Sequence, residues 1–209
     1  MSGIDTLLVI AKEPVAGRVK TRLVPPLTFE QAADVAAAAL WDTLRAVAPV
    51  PVRQRLLAFD GDAAQWCPEG WRVSAQPEGG LDTRLVAAFE AAGNGPSVLV
   101  GMDTPQLRAD QLTAWDPDRF DACLGPASDG GYWAIGFTDA TVAAAAISGI
   151  PMSLATTREH QLARLDELGL RVQLLDELTD VDTIDAAREV AHEVPRSAFA
   201  QALTRTGAR

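Results

Sequence analysis

The hydrophobic positions of this chain fall into short apolar runs separated by longer stretches in which they recur every three or four residues. The first run, Leu7 to Ala11, has the length and β-branched content of a strand buried on both faces. Arg55–Phe59, Trp71–Ser74, Ser97–Met102, Phe120–Gly125, Tyr132–Phe137 and Arg171–Leu175 read as further strands. Helices are predicted between them. Thr28 and Gln31 make a capping box, and Ala32, Val35, Ala36, Ala39, Leu40, Thr43, Leu44 and Val47 form a helical stripe that Pro49 ends. Leu81, Leu85, Ala88, Phe89 and Ala92 lie on one face of a second helix, stopped by Gly93. Shorter helices are predicted around Trp66 and over Gln106–Trp115, Thr138–Ile147 and Thr156–Gly169. A last one covers Thr183–Glu193, with residues 191–209 closing the chain as its end and a polar tail. Pro25-Pro26 predicts an extended segment. Strands alternating with helices imply an α/β fold with a mostly parallel, doubly wound sheet. With no internal repeat and no linker, residues 1–209 read as a single domain.

Composition narrows the chemistry. A chain of 209 residues with 48% hydrophobic and 22% charged residues is ordinary for a globular protein. A net charge of −10 lacks the basic face that a nucleic-acid partner requires. No apolar run approaches the roughly 18 residues of a membrane span, and no basic region precedes the first one, so the N-terminus reads as a strand and the protein as cytoplasmic. Cys67 and Cys123 lack metal-type spacing and read as reduced structural residues. His160 and His192 sit in helical patterns and face solvent in this reading. Carboxylates and cations must then carry the chemistry.

The cations concentrate after the first strand, where Lys12, Arg18, Lys20 and Arg22 occupy a loop marked by Pro14 and Gly17. A basic loop leaving the C-terminal end of a first parallel strand sits where open α/β sheets bind ligands, and it suits a polyanion such as a pyrophosphate. A solvated Lys/Arg loop is the plainer alternative. The acids of interest fall at predicted strand ends. Asp103 follows the strand ending at Met102, Asp129 lies in the turn SDGGYW, and Asp180 and Asp182 precede the last helix. Each has a structural alternative: a helix cap for Asp103, capping by Asp182 or Thr183 ahead of the last helix, and a turn acid for Asp129. Together they suit Mg²⁺ or Mn²⁺, which take carboxylate oxygens and share their coordination with substrate phosphates. Neither a G-x-x-x-x-G-K-[ST] loop nor a G-x-G-x-x-G fingerprint is present.

The segments IAKEPVAGRVKTRL, VGMDTPQL, LGPASDGGYWAIG and LTDVDTIDAA occur in this order between about residue 5 and residue 190. In them the chain resembles a bacterial family of GT-A-like transferases long labelled as a domain of unknown function, DUF2064. One branch of that family is assigned to arsenosugar biosynthesis. The resemblance implies a three-layer α/β/α sandwich of the nucleotide-diphospho-sugar transferase type. It implies phosphate-side contacts from Lys12, Arg18, Lys20, Arg22 and Arg84, and a divalent cation on Asp103 and Asp182. It places Asp129, Gly130, Gly131 and Tyr132 on the acceptor side. The chain departs from the family after the third strand, where Gly80-Leu81-Asp82-Thr83-Arg84 replaces the expected Asp-Leu-Gly-x-Arg order.

The function implied first is metal-dependent transfer of a sugar from a nucleotide-sugar to a small-molecule acceptor. Asp103 then carries the metal, and Asp129 serves as general base for an inverting reaction. The KTRL loop is also similar to that of the guanylyltransferases of deazaflavin-cofactor synthesis. That similarity implies nucleotidyl transfer from a nucleoside triphosphate to a small phosphorylated acid. A non-catalytic nucleotide-binding domain is a third reading. A homodimer is the default assembly.

Overall fold

In the computed structural model, which describes residues 3–208, the strands form one seven-stranded sheet in the order β3-β2-β1-β4-β6-β5-β7. The strands are β1 (Thr6–Lys12), β2 (Gln54–Asp60), β3 (Arg72–Ala75), β4 (Ser97–Val100), β5 (Ala122–Pro126), β6 (Tyr132–Phe137) and β7 (Val172–Leu174). All pairings are parallel except those of β6, which runs antiparallel to both β4 and β5. The fold is α/β, as the alternation of strand and helix predicted.

Side-chain alternation along β1 assigns the two faces. Leu7, Val9 and Ala11 join Leu57, Phe59, Val98 and Val100 beneath α1 (Phe29–Val47) and α3 (Ala109–Thr113). Leu8 joins Leu56, Leu99, Ile135 and Phe137 on the other face. That face is covered by α2 (Leu81–Ala92), α4 (Ala143–Ile147) and α5 (Thr157–Glu167). The capping box forms as the sequence foretold, with Thr28 Oγ1 accepting from Gln31 N–H at 3.2 Å and Gln31 Oε1 from Thr28 N–H at 2.9 Å.

A third apolar cluster lies outside α1. There Ala32, Val35 and Ala39 meet α6 (Ile184–Glu193) and α7 (Ala198–Arg205) through Ala187, Val190, Phe199, Ala202 and Leu203. The expected polar tail is therefore corrected: residues 198–205 are a helix. Ser197 caps it, accepting from Ala200 N–H at 2.9 Å, and the Asp42 carboxylate on α1 accepts from Phe199 N–H at 2.7 Å. Three smaller expectations also change. Residues around Trp66 make a single turn closed by Trp66 and Cys67 N–H on Ala63 O, too short for a helix. The segment through Pro25-Pro26 folds back in a turn closed by Leu27 N–H on Leu23 O instead of running extended. The helix expected over Gln106–Trp115 is confined to α3.

Cys67 and Cys123 are free thiols, and His160 and His192 are exposed, as expected. No helix among the described residues is long and apolar enough to cross a membrane.

Candidate active site at the switch point

The chain leaves β1 in opposite directions across the sheet, β2 and β3 lying on one side and β4 on the other. The C-terminal ends of β1 and β4 thus flank a topological switch point, the crevice where open α/β sheets bind ligands. A cleft of about 810 Å³ opens there, within the usual range for small-molecule sites. Lys12 ends β1 at its rim, and Gly101, Met102 and Asp103 leave β4 into it.

Three carboxylates converge in the cleft. Oxygens of Asp103, Asp180 and Asp182 all lie within 4.8 Å of one another. Backbone bonds hold the two segments together: Val181 N–H donates to Asp103 O at 3.0 Å, and Gln106 Nε2 donates to Thr179 O at 2.7 Å. Neither Asp103 nor Asp182 is a helix cap. Arg108 occupies the N-cap of α3, well past Asp103, and Thr183 caps α6 by accepting from Ala186 N–H at 3.2 Å. Asp103 and Asp182 are thereby free to face the cleft.

Lys20 sits on this triad, its Nζ 2.7 Å from Asp103 Oδ1 and 3.0 Å from Asp182 Oδ1, with a side chain only 6% exposed. Its backbone is left-handed, with φ 45°, at the entry to a 3-10 turn over Thr21–Leu23. Burial opposes the Lys20 charge, but the surrounding Asp103, Asp180 and Asp182 outweigh it and hold the ammonium pKa above the ordinary lysine value. Burial, reinforced by the charge of Asp103, pushes the Asp180 carboxyl well above the usual carboxylate range, against the pull of Lys20. Burial also opposes the Asp182 charge, but Lys20 and Arg22 prevail and hold its pKa below the ordinary value.

The other cations divide. Arg22, 70% exposed, reaches Asp182 Oδ2 at 3.2 Å from the cleft wall. Arg84 also lines the cleft, paired with Asp60 Oδ2 at 2.8 Å and bonded to Gln76 Oε1 at 3.3 Å. Arg84, then burial working against it, then the charges of Lys12 and Arg18 act on Asp60 and leave its pKa below the carboxylate norm. Arg18 itself is exposed and does not line the cleft. Asp82, in the divergent turn, points elsewhere and accepts from Gly149 N–H at 3.0 Å.

The SDGGYW turn forms the remaining wall. Asp129 Oδ1 accepts from Gly131 N–H at 2.8 Å, an Asx turn that leaves Oδ2 available. Gly130 has φ 89°, and a Cβ there would collide with the Ala155 carbonyl, so only glycine lets the two segments approach. Tyr132 Oη donates to Gln161 Oε1 at 3.3 Å, and burial and then the Asp82 charge push its phenol pKa up. Asp129, Gly131 and Tyr132 line the cleft, whereas Gly130 shapes the turn from behind.

A family model described as "Uncharacterized protein conserved in bacteria (DUF2064)" matches residues 43–154, more than half of the chain. The chain belongs to the DUF2064 family. The match takes in Asp103 and the Asp129–Tyr132 turn, while the basic loop and the Asp180–Asp182 segment lie outside it. No curated protein matches the sequence of this DUF2064 chain. Among solved structures, it is similar to a protein of Desulfovibrio desulfuricans G20 provisionally named a nucleotide-diphospho-sugar transferase. That match has 26% identity and TM-score 0.88, covering 100% of this chain and 96% of the other. It shares its fold with 4-diphosphocytidyl-2C-methyl-D-erythritol synthase of Anaerococcus prevotii DSM 20548, at 10% identity and TM-score 0.61, covering 93% and 97% of the two chains. It also shares it with the inositol-1-phosphate CTP transferase of T. maritima, at 12% identity and TM-score 0.57, covering 96% and 97%. The architecture is that of the nucleotide-diphospho-sugar transferases.

The donor set suits a hard divalent cation: three carboxylates supply oxygens only, and the group now bridging Asp103 and Asp182 is an ammonium in the position of a counter-ion. The resemblance paired Asp103 with Asp182 as metal ligands and gave Asp180 no role of its own; the structure makes it the third member of the cluster. It also placed Lys20 among the phosphate contacts, whereas in the structure Lys20 is committed to the acids. Gln106 carried no sequence signal. Thr104 lines the cleft beside Asp103 with a buried, unpartnered hydroxyl.

Proposed function

We propose that this DUF2064 protein is a metal-assisted transferase that binds a nucleotide-diphospho-sugar in the switch-point cleft and passes its sugar to a small acceptor. The observation that carries this reading is the convergence of Asp103, Asp180 and Asp182 at the cleft floor, with Lys12, Arg22 and Arg84 on its walls. A Mg²⁺ or Mn²⁺ ion held by the three acids would supply charge neutralisation to the diphosphate. Arg22 and Arg84, both lining the cleft, bind the remaining phosphate charge and orient the donor. The acceptor lies toward Asp129 and Tyr132. With Oδ1 fixed by Gly131 N–H, Asp129 Oδ2 takes the proton of the acceptor hydroxyl. The acceptor oxygen bonds to the anomeric carbon, and the bond from that carbon to the diphosphate breaks, its electron pair leaving on the phosphate oxygen.

A second reading is nucleotidyl transfer from a nucleoside triphosphate to a small phosphorylated acid, with pyrophosphate as the leaving group. It is supported by the fold shared with the inositol-1-phosphate CTP transferase of T. maritima and by the similarity of the KTRL loop to that of the guanylyltransferases.

Mass-spectrometric product analysis with Mn²⁺ separates these readings. One set of incubations holds nucleotide-sugars, the other nucleoside triphosphates with small phosphorylated acids. Release of nucleoside diphosphate from a nucleotide-sugar, lost in Asp103→Asn, is the expected result. Pyrophosphate release in the other set establishes the second reading, and ligand binding without turnover in either set leaves the absent acceptor and a non-catalytic nucleotide-binding domain as the explanations.

A further inference from the structure

Lys20 stands where a divalent ion would have to go. Its Nζ is 2.7 Å from Asp103 Oδ1 and 3.0 Å from Asp182 Oδ1, two of the oxygens such an ion would use. Mg²⁺ or Mn²⁺ sits about 2.0–2.2 Å from its oxygen ligands, so an ion on the same two oxygens would lie within about 4 Å of the ammonium unless Lys20 moved. Two cations at that separation, with a side chain too buried for water to screen them well, repel strongly. Lys20 cannot leave for solvent cheaply either. Leu23, three residues on, is fully buried in the cluster formed with α1 and α7, which holds the loop down.

The cleft offers one other destination for the ammonium, the phosphate oxygens of a ligand. An unsatisfied group next to the triad independently points to a ligand there. The Thr104 hydroxyl, in a residue 1% exposed that lines the same cleft, has no partner among the described residues. A buried polar group of this kind is costly unless something bonds to it.

We propose that Lys20 is an internal counter-ion that makes divalent-cation binding conditional on a phosphate-bearing ligand: the ammonium passes from Asp103 and Asp182 to the ligand's phosphate as the metal enters. This rests on the metal-assisted reading of the site and adds the order and coupling of its occupants. The ligand supplies oxygens both to the ion and to Lys20, so ion and ligand bind together more favourably than either alone. Coupling of this kind is reciprocal.

The test is Mn²⁺ binding followed by electron paramagnetic resonance, for the wild type, Lys20→Met and Lys20→Gln. Each is measured alone and with uridine, guanosine, adenosine or cytidine 5′-diphosphate, against blanks of diphosphate without protein. Circular dichroism establishes that each variant is folded. The wild type is expected to bind Mn²⁺ at least about tenfold more tightly with one of the diphosphates than without, and Mn²⁺ to raise that diphosphate's affinity by the same factor. Lys20→Met and Lys20→Gln are expected to bind Mn²⁺ alone at least about tenfold more tightly than the wild type. Equal Mn²⁺ affinity of the wild type with and without every diphosphate overturns the inference without need of a variant. So does a folded variant that binds Mn²⁺ alone no better than the wild type, and in both cases the proposed function stands. No Mn²⁺ binding by any of the proteins under any condition removes the metal-assisted reading and the inference with it.

Discussion

Helix α7 ties the C-terminal segment to the site, and Phe199→Ala tests how strongly. The ring is fully buried among Leu23, Leu27, Val35, Ala39 and Val190, in a cluster that also contains Val181. Leu23 anchors the turn that carries Lys20 and Arg22, and Val181 lies between the two acids of the C-terminal segment. Removing a fully buried phenylalanine ring costs about 3–5 kcal/mol, because the transfer energy is lost and a cavity is left. For a chain of this size each kcal/mol lowers the melting temperature by about 2–4 °C. The expected drop is thus about 6–20 °C, measured by circular dichroism. Asp42→Ala, which removes the carboxylate that accepts from Ala198 and Phe199 N–H at the start of α7, is expected to cost about 0.5–2 kcal/mol. Both variants should also retain Mn²⁺ more weakly in the presence of the nucleoside diphosphate that binds, since both loops rest on the same cluster. A Phe199→Ala protein melting within about 2 °C of the wild type would refute the packing argument.

Asp103→Asn keeps the shape but removes one of the triad charges and the closest partner of Lys20, so metal-dependent nucleotide binding should fall at least about tenfold with the fold intact. Unchanged affinity in calorimetry would remove Asp103 from the site. Gly130→Ala must adopt a positive φ and overlap the Ala155 carbonyl; a loss of at least about 1–2 kcal/mol is expected in urea unfolding, and neutral behaviour would contradict the close approach. The Arg171 guanidinium, donating to Asp121 Oδ1 and Oδ2 at 2.9 Å each, lowers the Asp121 carboxyl to about 2. Because that folded-state value is depressed, the contribution is present above the unfolded value of about 4 and is lost as the pH falls toward about 2. Asp121→Asn should accordingly melt slightly below the wild type at neutral pH and together with it near pH 2. A gap of constant size across that range would count against the pair.

Periodicity carried much of the fold into the sequence. The stripe on α1 and its capping box emerge as written, because both depend on contacts within one helix. The stripe held a further signal. Its buried residues divide between the sheet, through Ala36, Leu40 and Leu44, and the outer helices, through Ala32, Val35 and Ala39. A face that wide needs two partners, and α7 is the second. It escaped notice because its eight residues have their apolar positions crowded at Phe199, Ala200, Ala202 and Leu203 among polar neighbours. The antiparallel insertion of β6 was equally hidden, since strand order follows from which elements cover each face and not from any one strand's pattern.

At the site, strand-end acids stood out because the end of a parallel strand is itself a position with chemical meaning. Asp180 was visible as an acid ahead of the last helix but was assigned no ligand role, because acids in that position also serve as caps; in the structure Thr183 fills the capping role and Asp180 joins the cluster. Lys20 was legible as a cation of the ligand-facing loop. Its partners, Asp103 and Asp182, lie far along the chain and meet it only when β1, β4 and the segment before α6 converge.

The central claim is that Asp103, Asp180 and Asp182 hold a divalent ion for a nucleotide-linked phosphate. It is tested most directly by a crystal structure grown with Mn²⁺ and the nucleoside diphosphate that binds, with the metal located by anomalous diffraction. The account predicts a peak about 2.0–2.2 Å from oxygens of the three carboxylates and of the diphosphate, with Lys20 moved onto the phosphate. A diphosphate seated in the cleft with no peak among these acids, or a peak elsewhere on the molecule, would contradict it.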